Sequence, residues 1–175
     1  VDDITNGRFA LNVVCGWQQE EMEMFGSPML AKNDRYACAA EWLEIVKRLW
    51  TEEGLVNFKG RFYNIKEGYL QPKPTRRPHP PVMNAGTSDE GKHFAAKHCD
   101  MAFIPPTTFE EIRQQVESYR AIAKEYGREI KLWSYAYIVQ GDTEEDAKSF
   151  YNHYVHELGD WKGAEARVKS IGLSA

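Results

Sequence analysis

The 175-residue sequence predicts an α/β fold on parallel strands, part of a (β/α)8 TIM barrel with a β-hairpin excursion. Three observations carry the prediction. Short apolar runs recur along the chain, most ending at a turn containing glycine or serine. Amphipathic helical patterns follow the later runs after short connections, an alternation that calls for parallel strands and right-handed crossovers. A complete barrel takes roughly 250 residues, so this chain is expected to supply about half to two-thirds of one. The expectation is a single domain over 1–175, the central and C-terminal part of a barrel, with the N-terminal barrel strands missing. The start at Val1 and the stop at Ala175, just after an amphipathic stretch, point to a fragment.

Taken in order, residues 9–15 are an apolar run entered through Asn6-Gly7 and closed by Gly16, the pattern of a buried strand opening into a loop. Over 34–50, Tyr36, Ala40, Leu43, Val46 and Trp50 recur at helical spacing, with Trp42, Ile45 and Leu49 widening the buried face. Residues 57–72 set aromatics around Lys59-Gly60 and predict a hairpin, followed by an extended proline-rich tail. Residues 81–86 form a second core strand, and Ser88-Asp89-Glu90 supplies the cap and acidic first turn of a helix running to His98. Strand then helix recurs at 101–104 with 109–126, and at 130–139 with a helix from about 143 to 158.

Composition narrows the function. Twenty-two basic and 26 acidic residues leave a net charge of −4, no field for nucleic acid or an anionic membrane. No run reaches the ~18 apolar residues of a membrane span, and a cytoplasmic location is expected. Cys15, Cys38 and Cys99 are far apart without a CxxC pair, which predicts reduced, mostly buried thiols. His93 and His98, like His153 and His156, lack an HExxH pattern, so no metal site is expected. The basic stretch from Lys59 to Arg77, interleaved with aromatics, reads as a solvated hairpin and tail.

Ligands of parallel α/β folds bind at the C-terminal strand ends. After the first strand come Asn12, Cys15, Gly16, Trp17, Gln18, Glu20 and Glu21, hydrogen-bonding groups beside an aromatic plane that suit a planar heterocycle. After the second comes Ala85-Gly86-Thr87-Ser88, where Gly86 admits close backbone approach and the helix start offers free N–H groups to an anion such as phosphate. By spacing alone each has a structural reading as well. Asn12 can satisfy a neighbouring strand, Trp17 and Tyr36 can be core, Arg35 can be solvated, and Gly-Thr-Ser can be an ordinary capped turn.

The run Asn6-Gly7-Arg8-Phe9-Ala10-Leu11-Asn12-Val13-Val14 resembles the GGRF-x-LN-x-V segment of bacterial luciferase-like flavin-dependent monooxygenases. Matches follow in family order at Asp34-Arg35-Tyr36 with Glu41-Trp42, at Phe58 to Tyr63, at Pro72-Lys73-Pro74 and at Asn84 to Gly91. The resemblance reaches about residue 140 and is strongest to the pyrimidine, dimethylsulfone and alkanesulfonate monooxygenase branch. It implies a barrel of the luciferase-like type and a two-component system. A separate flavin reductase delivers reduced FMN, and one oxygen atom from O2 is inserted into a small organic substrate. Carried over residue by residue, the resemblance puts flavin contacts on Asn12, Glu21, Arg35, Tyr36 and Ser88, with Gly86 in the phosphate turn. Trp17 and Glu21 are the catalytic candidates, Trp17 with the loop 16–30 as a shield against water and Glu21, or Glu20, as the group that positions a proton donor. Cys15 departs from the hydroxyl residue of the pyrimidine enzymes, which weakens a hydrogen bond at that point. A homo-oligomer is expected. The alternatives are an F420-dependent oxidoreductase on the same fold and a non-catalytic flavin-binding subunit.

Overall fold

The computed structural model describes residues 1–170; residues 171–175 of the expected single domain lie outside the described residues. The chain divides into two compact units, Val1–Tyr135 and Ala136–Ala175. In the first, β1 (Leu11–Asn12) leads through a short helix α1 (Gln19–Met24) to the long α2 (Lys32–Thr51). An antiparallel hairpin of β2 (Val56–Lys59) and β3 (Asn64–Gly68) follows. Then come β4 (Val82–Asn84), α3 (Asp89–His98), β5 (Met101–Phe103), α4 (Phe109–Glu125) and β6 (Lys131–Trp133). The four parallel strands lie in the order β1-β4-β5-β6, each bonded to the next in barrel sequence with the hairpin apart from the sheet. The parallel segment of barrel wall expected from the sequence is therefore present, with its excursion.

Helices cover one face of that sheet. Val13, Val82 and Cys99 pack with Leu43 of α2 and Phe94 of α3 in one cluster. Ala102, Ile104 and Ile130 pack with Ala95 and Ala96 of α3 and Tyr119 and Ala123 of α4 in the other. The alanines matter because small side chains let α3 and α4 sit close to the strands, leaving the Tyr119 ring to fill the remaining space. Alternate strand residues point the other way: Asn12, Val14 and Trp133 are exposed on the second face.

Cap chemistry fixes the helix starts. Ser88 accepts from the Gly91 N–H at 3.3 Å to open α3. Thr108 and Glu111 close a reciprocal capping box on α4. The hairpin docks on α2 through Glu41, whose carboxylate accepts the N–H groups of Arg61, Phe62 and Tyr63 at 2.8, 2.9 and 3.2 Å. Desolvation pushes that carboxyl up, but the bonds from Phe62, Arg61 and Tyr63 together overcome it and hold the group below its ordinary range. Arg61 adds a two-pronged bond to Asp34 at 2.6 and 3.0 Å. The basic stretch is thus partly neutralised by α2.

Several expected boundaries are corrected. The run 9–15 pairs as strand only over Leu11–Asn12, and 130–139 only over Lys131–Trp133. A ladder extends only as far as its partner, and β4 and β5 are three residues each. The helix expected from 34 begins two residues earlier at Lys32, and α1 interrupts what was read as loop. Cys99 is buried as expected, whereas Cys15 and Cys38 are only half-buried. In the second unit, the helix expected over 143–158 is α5 (Glu144–Tyr151) followed by a π-helical turn at Asn152–Glu157, with α6 at Trp161–Ser170.

Candidate functional site

A pocket of about 470 Å3 opens where β1 and β4 end, within the ~300–1,000 Å3 range of small-molecule sites. Its walls are the segment 13–17 after β1, the first turn of α2, and the turn 84–88 before α3. Of the residues singled out from the sequence, Trp17, Arg35, Tyr36, Gly86 and Ser88 line it together. Trp17 is 52% exposed, which rules out the core reading of that ring. Asn12 and Glu21 are not among the lining residues: Asn12 is exposed on β1 and Glu21 is exposed on α1.

Arg35 reaches across from α2 and donates to the carbonyl of Gly16, tying the loop after β1 to the helix. Its Nη1 also lies 3.9 Å from the Met29 sulfur, a weak acceptor. The Nε of the same guanidinium is buried without a partner. An unpaired donor on a cation is costly, so this atom is a standing demand for an acceptor or an anion. Tyr36 leans its ring on Phe94, centroids 5.7 Å apart, so its position follows from the core.

Lys32 lines the pocket too and was missed by the sequence reading. The signal was available, since Lys32 and Arg35 are three apart at a helix start and so share a face. Lys32 pairs with Glu90 of α3 at 2.7 Å. Its hydrogen bond, with help from the Glu90 backbone, holds the Glu90 carboxyl down at about 2. Asn84 was also passed over as a site residue; it is 3% exposed and forms part of the pocket wall. Its signal was a polar residue ending an otherwise apolar strand two positions before a glycine.

Burial pushes the Cys15 thiol up to about 11, against the pull of the nearby Arg35. It is therefore protonated at neutral pH and unsuited to nucleophilic attack. The Ser88 Oγ accepts the α3 cap bond, and its hydroxyl also bonds the Glu90 carboxylate and helps to hold that group ionised. Gly86 serves packing more than open approach: a Cβ there would fall 2.9 Å from Asn84 Oδ1 and 2.9 Å from the Tyr36 hydroxyl. Among the described residues, no three His, Cys, Asp or Glu side chains are grouped to hold a metal. No helix among them is long and apolar enough to cross a membrane.

Chemically, the pocket brings together two cations, a hydroxyl, a helix start and two aromatic rings. That combination suits a ligand with an anionic end and a planar end. The chain is 35% identical over 177 residues to an FMNH(2)-dependent dimethylsulfone monooxygenase of Pseudomonas putida, covering 100% of this chain and 48% of that protein. It is 31% identical over 181 residues to a pyrimidine monooxygenase RutA of Allorhizobium ampelinum, covering 98% and 48%. The chain thus spans about half the length of the curated relatives it matches. The crystal structure of a long-chain alkane monooxygenase (LadA) superposes with a TM-score of 0.86 at 26% identity, over 97% of this chain and 44% of that one. The family profile described as luciferase-like monooxygenase matches residues 1–174, and this chain belongs to that family.

Proposed function

We propose that this chain carries the cofactor pocket of an FMNH2-dependent monooxygenase that inserts one oxygen atom from O2 into a small organic substrate of the sulfone, sulfonate or pyrimidine type. The carrying observation is the convergence of Trp17, Arg35, Tyr36, Gly86 and Ser88, from three separate segments, on one pocket. The donor set fits the cofactor. The buried, unpartnered Arg35 Nε and the Lys32 ammonium match a phosphate, and the Ser88 side chain is assigned to the same end of the ligand. Trp17 and Tyr36 offer rings to a flat heterocycle.

Reduced FMN, when bound, supplies the oxygen-activating chemistry, and the protein supplies orientation and exclusion of water. Arg35 is held in place by Gly16, so its charge is set before a ligand arrives. Trp17, half-exposed at the rim, is assigned the shielding role. Asn12 is assigned to the flavin edge, because it sits on the strand that runs into the pocket wall. Glu21 is assigned to positioning a proton donor from α1; unchanged oxygen transfer in Glu21→Gln removes that role. The reading includes a separate flavin reductase as electron donor, a homo-oligomer and a cytoplasmic setting.

The test is an anaerobic titration of the chain with reduced FMN, with near-UV circular dichroism to report packed aromatics. Saturable binding is expected, weakened about ten- to a hundredfold in Arg35→Ala and about fivefold in Ser88→Ala, the losses of a charged and a neutral hydrogen bond. No binding by a well-packed chain overturns the FMN reading in favour of F420-dependent hydride transfer or a non-catalytic subunit.

A further inference from the structure

We infer that Asn84, together with Tyr119, is a positioning residue that locks the two walls of the pocket in one register through the backbone of Gly86. The inference rests on the FMN reading for its functional consequence, though not for the joint itself. The Gly86 N–H donates to Asn84 Oδ1 at 2.8 Å, and Asn84 Nδ2 donates to the Val13 carbonyl at 2.7 Å. The amide orientation is fixed by its partners, since a backbone N–H can only donate and a carbonyl can only accept. Nδ2 also lies 3.8 Å from the Cys15 sulfur. The Asn84 amide is therefore engaged on both its oxygen and its nitrogen by the pocket's own walls. It acts on a ligand through Val13 and Gly86.

Tyr119 completes the clamp from the far side. Its ring is fully buried between α4 and the sheet, and its hydroxyl donates to the Gly86 carbonyl at 2.8 Å. Both peptide groups that flank the Gly86 Cα are thus held, the N–H before it by β4 and the C=O after it by α4. A change in the Gly86 backbone angles would break one or both bonds and re-aim the turn that leads to Ser88. The packing leaves no slack: a Cβ on Gly91 would lie 2.7 Å from the Gly86 carbonyl carbon and oxygen. Asn84 couples this turn to the segment 13–17 that carries Trp17 and Cys15, so the spacing of these two walls is held by this joint.

The test compares Tyr119→Phe, which deletes one hydroxyl, and Asn84→Ala with Thr108→Ala, which removes a cap away from the pocket. Reduced-FMN affinity and the rate of Cys15 labelling by a soluble aromatic disulfide, assigned by peptide mass spectrometry, are read on each. Tyr119→Phe is expected to weaken FMN about fivefold and Asn84→Ala by tenfold or more, both with faster Cys15 labelling. Thr108→Ala, matched for lost thermal stability, leaves both readouts unchanged. If affinity and labelling in the two joint variants merely follow stability as in Thr108→Ala, the positioning role is overturned. If the unsubstituted chain binds no FMN while the joint variants still label faster, the joint stands and the cofactor reading falls.

Discussion

The two walls of the pocket are held by different kinds of interaction. The turn wall, 84–91, is closed by bonds between near neighbours, Gly86 to Asn84 two residues away and Gly91 to Ser88 three away, with one long-range bond from Tyr119 across 33 residues. The loop wall, 13–17, is held by contacts that close long stretches of chain: Gly16 to Arg35 across 19 residues and Val13 to Asn84 across 71. A local bond costs little chain entropy and forms wherever its short motif occurs. A long-range bond forms only after the sheet and α2 have been assembled. The difference teaches that the capped turn into α3 comes with its local motif, whereas the loop after β1 and the two cations depend on the docking of α2.

The largest expected effect tests the stiffness of the turn wall. Gly91→Ala puts a methyl against the clamped Gly86 backbone and is expected to cost about 1–3 kcal/mol in urea unfolding. A loss below about 0.5 kcal/mol, the scale of ordinary surface substitutions, would show that the turn yields freely. On the loop wall, Arg35→Lys keeps the charge but loses the Nη1 bond to Gly16, an expected loss of about 1 kcal/mol. Amide exchange should quicken over 13–17 and not over 86–91; equal quickening in both would erase the distinction between the walls.

Ser88→Ala removes the α3 cap and is expected to cost about 1 kcal/mol, with Ser88→Asp recovering the stability but not the FMN affinity. Recovery of both would mean that Ser88 acts only as a cap. The smallest effect concerns the rim. Glu90 titrates at about 2, below its ordinary 4.5, because of Lys32, so the pair contributes stability above pH 4.5 that fades as pH falls towards 2. Both partners are exposed, so the contribution is modest. Glu90→Gln should flatten thermal stability between pH 4.5 and 2; an unchanged acid limb would show that the pair contributes nothing.

Elements with local causes were legible in the sequence. The Ser88 cap and the apolar stripe of α2 each follow from residues within a few positions of one another. Strand lengths were not, because β1 and β6 end where their neighbours end, a fact held in another part of the chain. Within the site, Arg35, Tyr36, Gly86 and Ser88 carried recognisable motifs. Lys32 and Asn84 were passed over because a cation at a helix start and an amide in a strand have common structural uses.

The sequence by itself determined the alternation of parallel strands and helices, the cap that opens α3, and the family to which the chain belongs. Only the tertiary structure decided that Trp17 stands exposed at a rim, that the Arg35 Nε is left buried and unpaired, and that Asn84 and Tyr119 hold the Gly86 backbone between them. The reason is physical. Periodicity and capping are set by neighbours along the chain, whereas burial and the pairing of polar groups depend on which distant segments the core brings together.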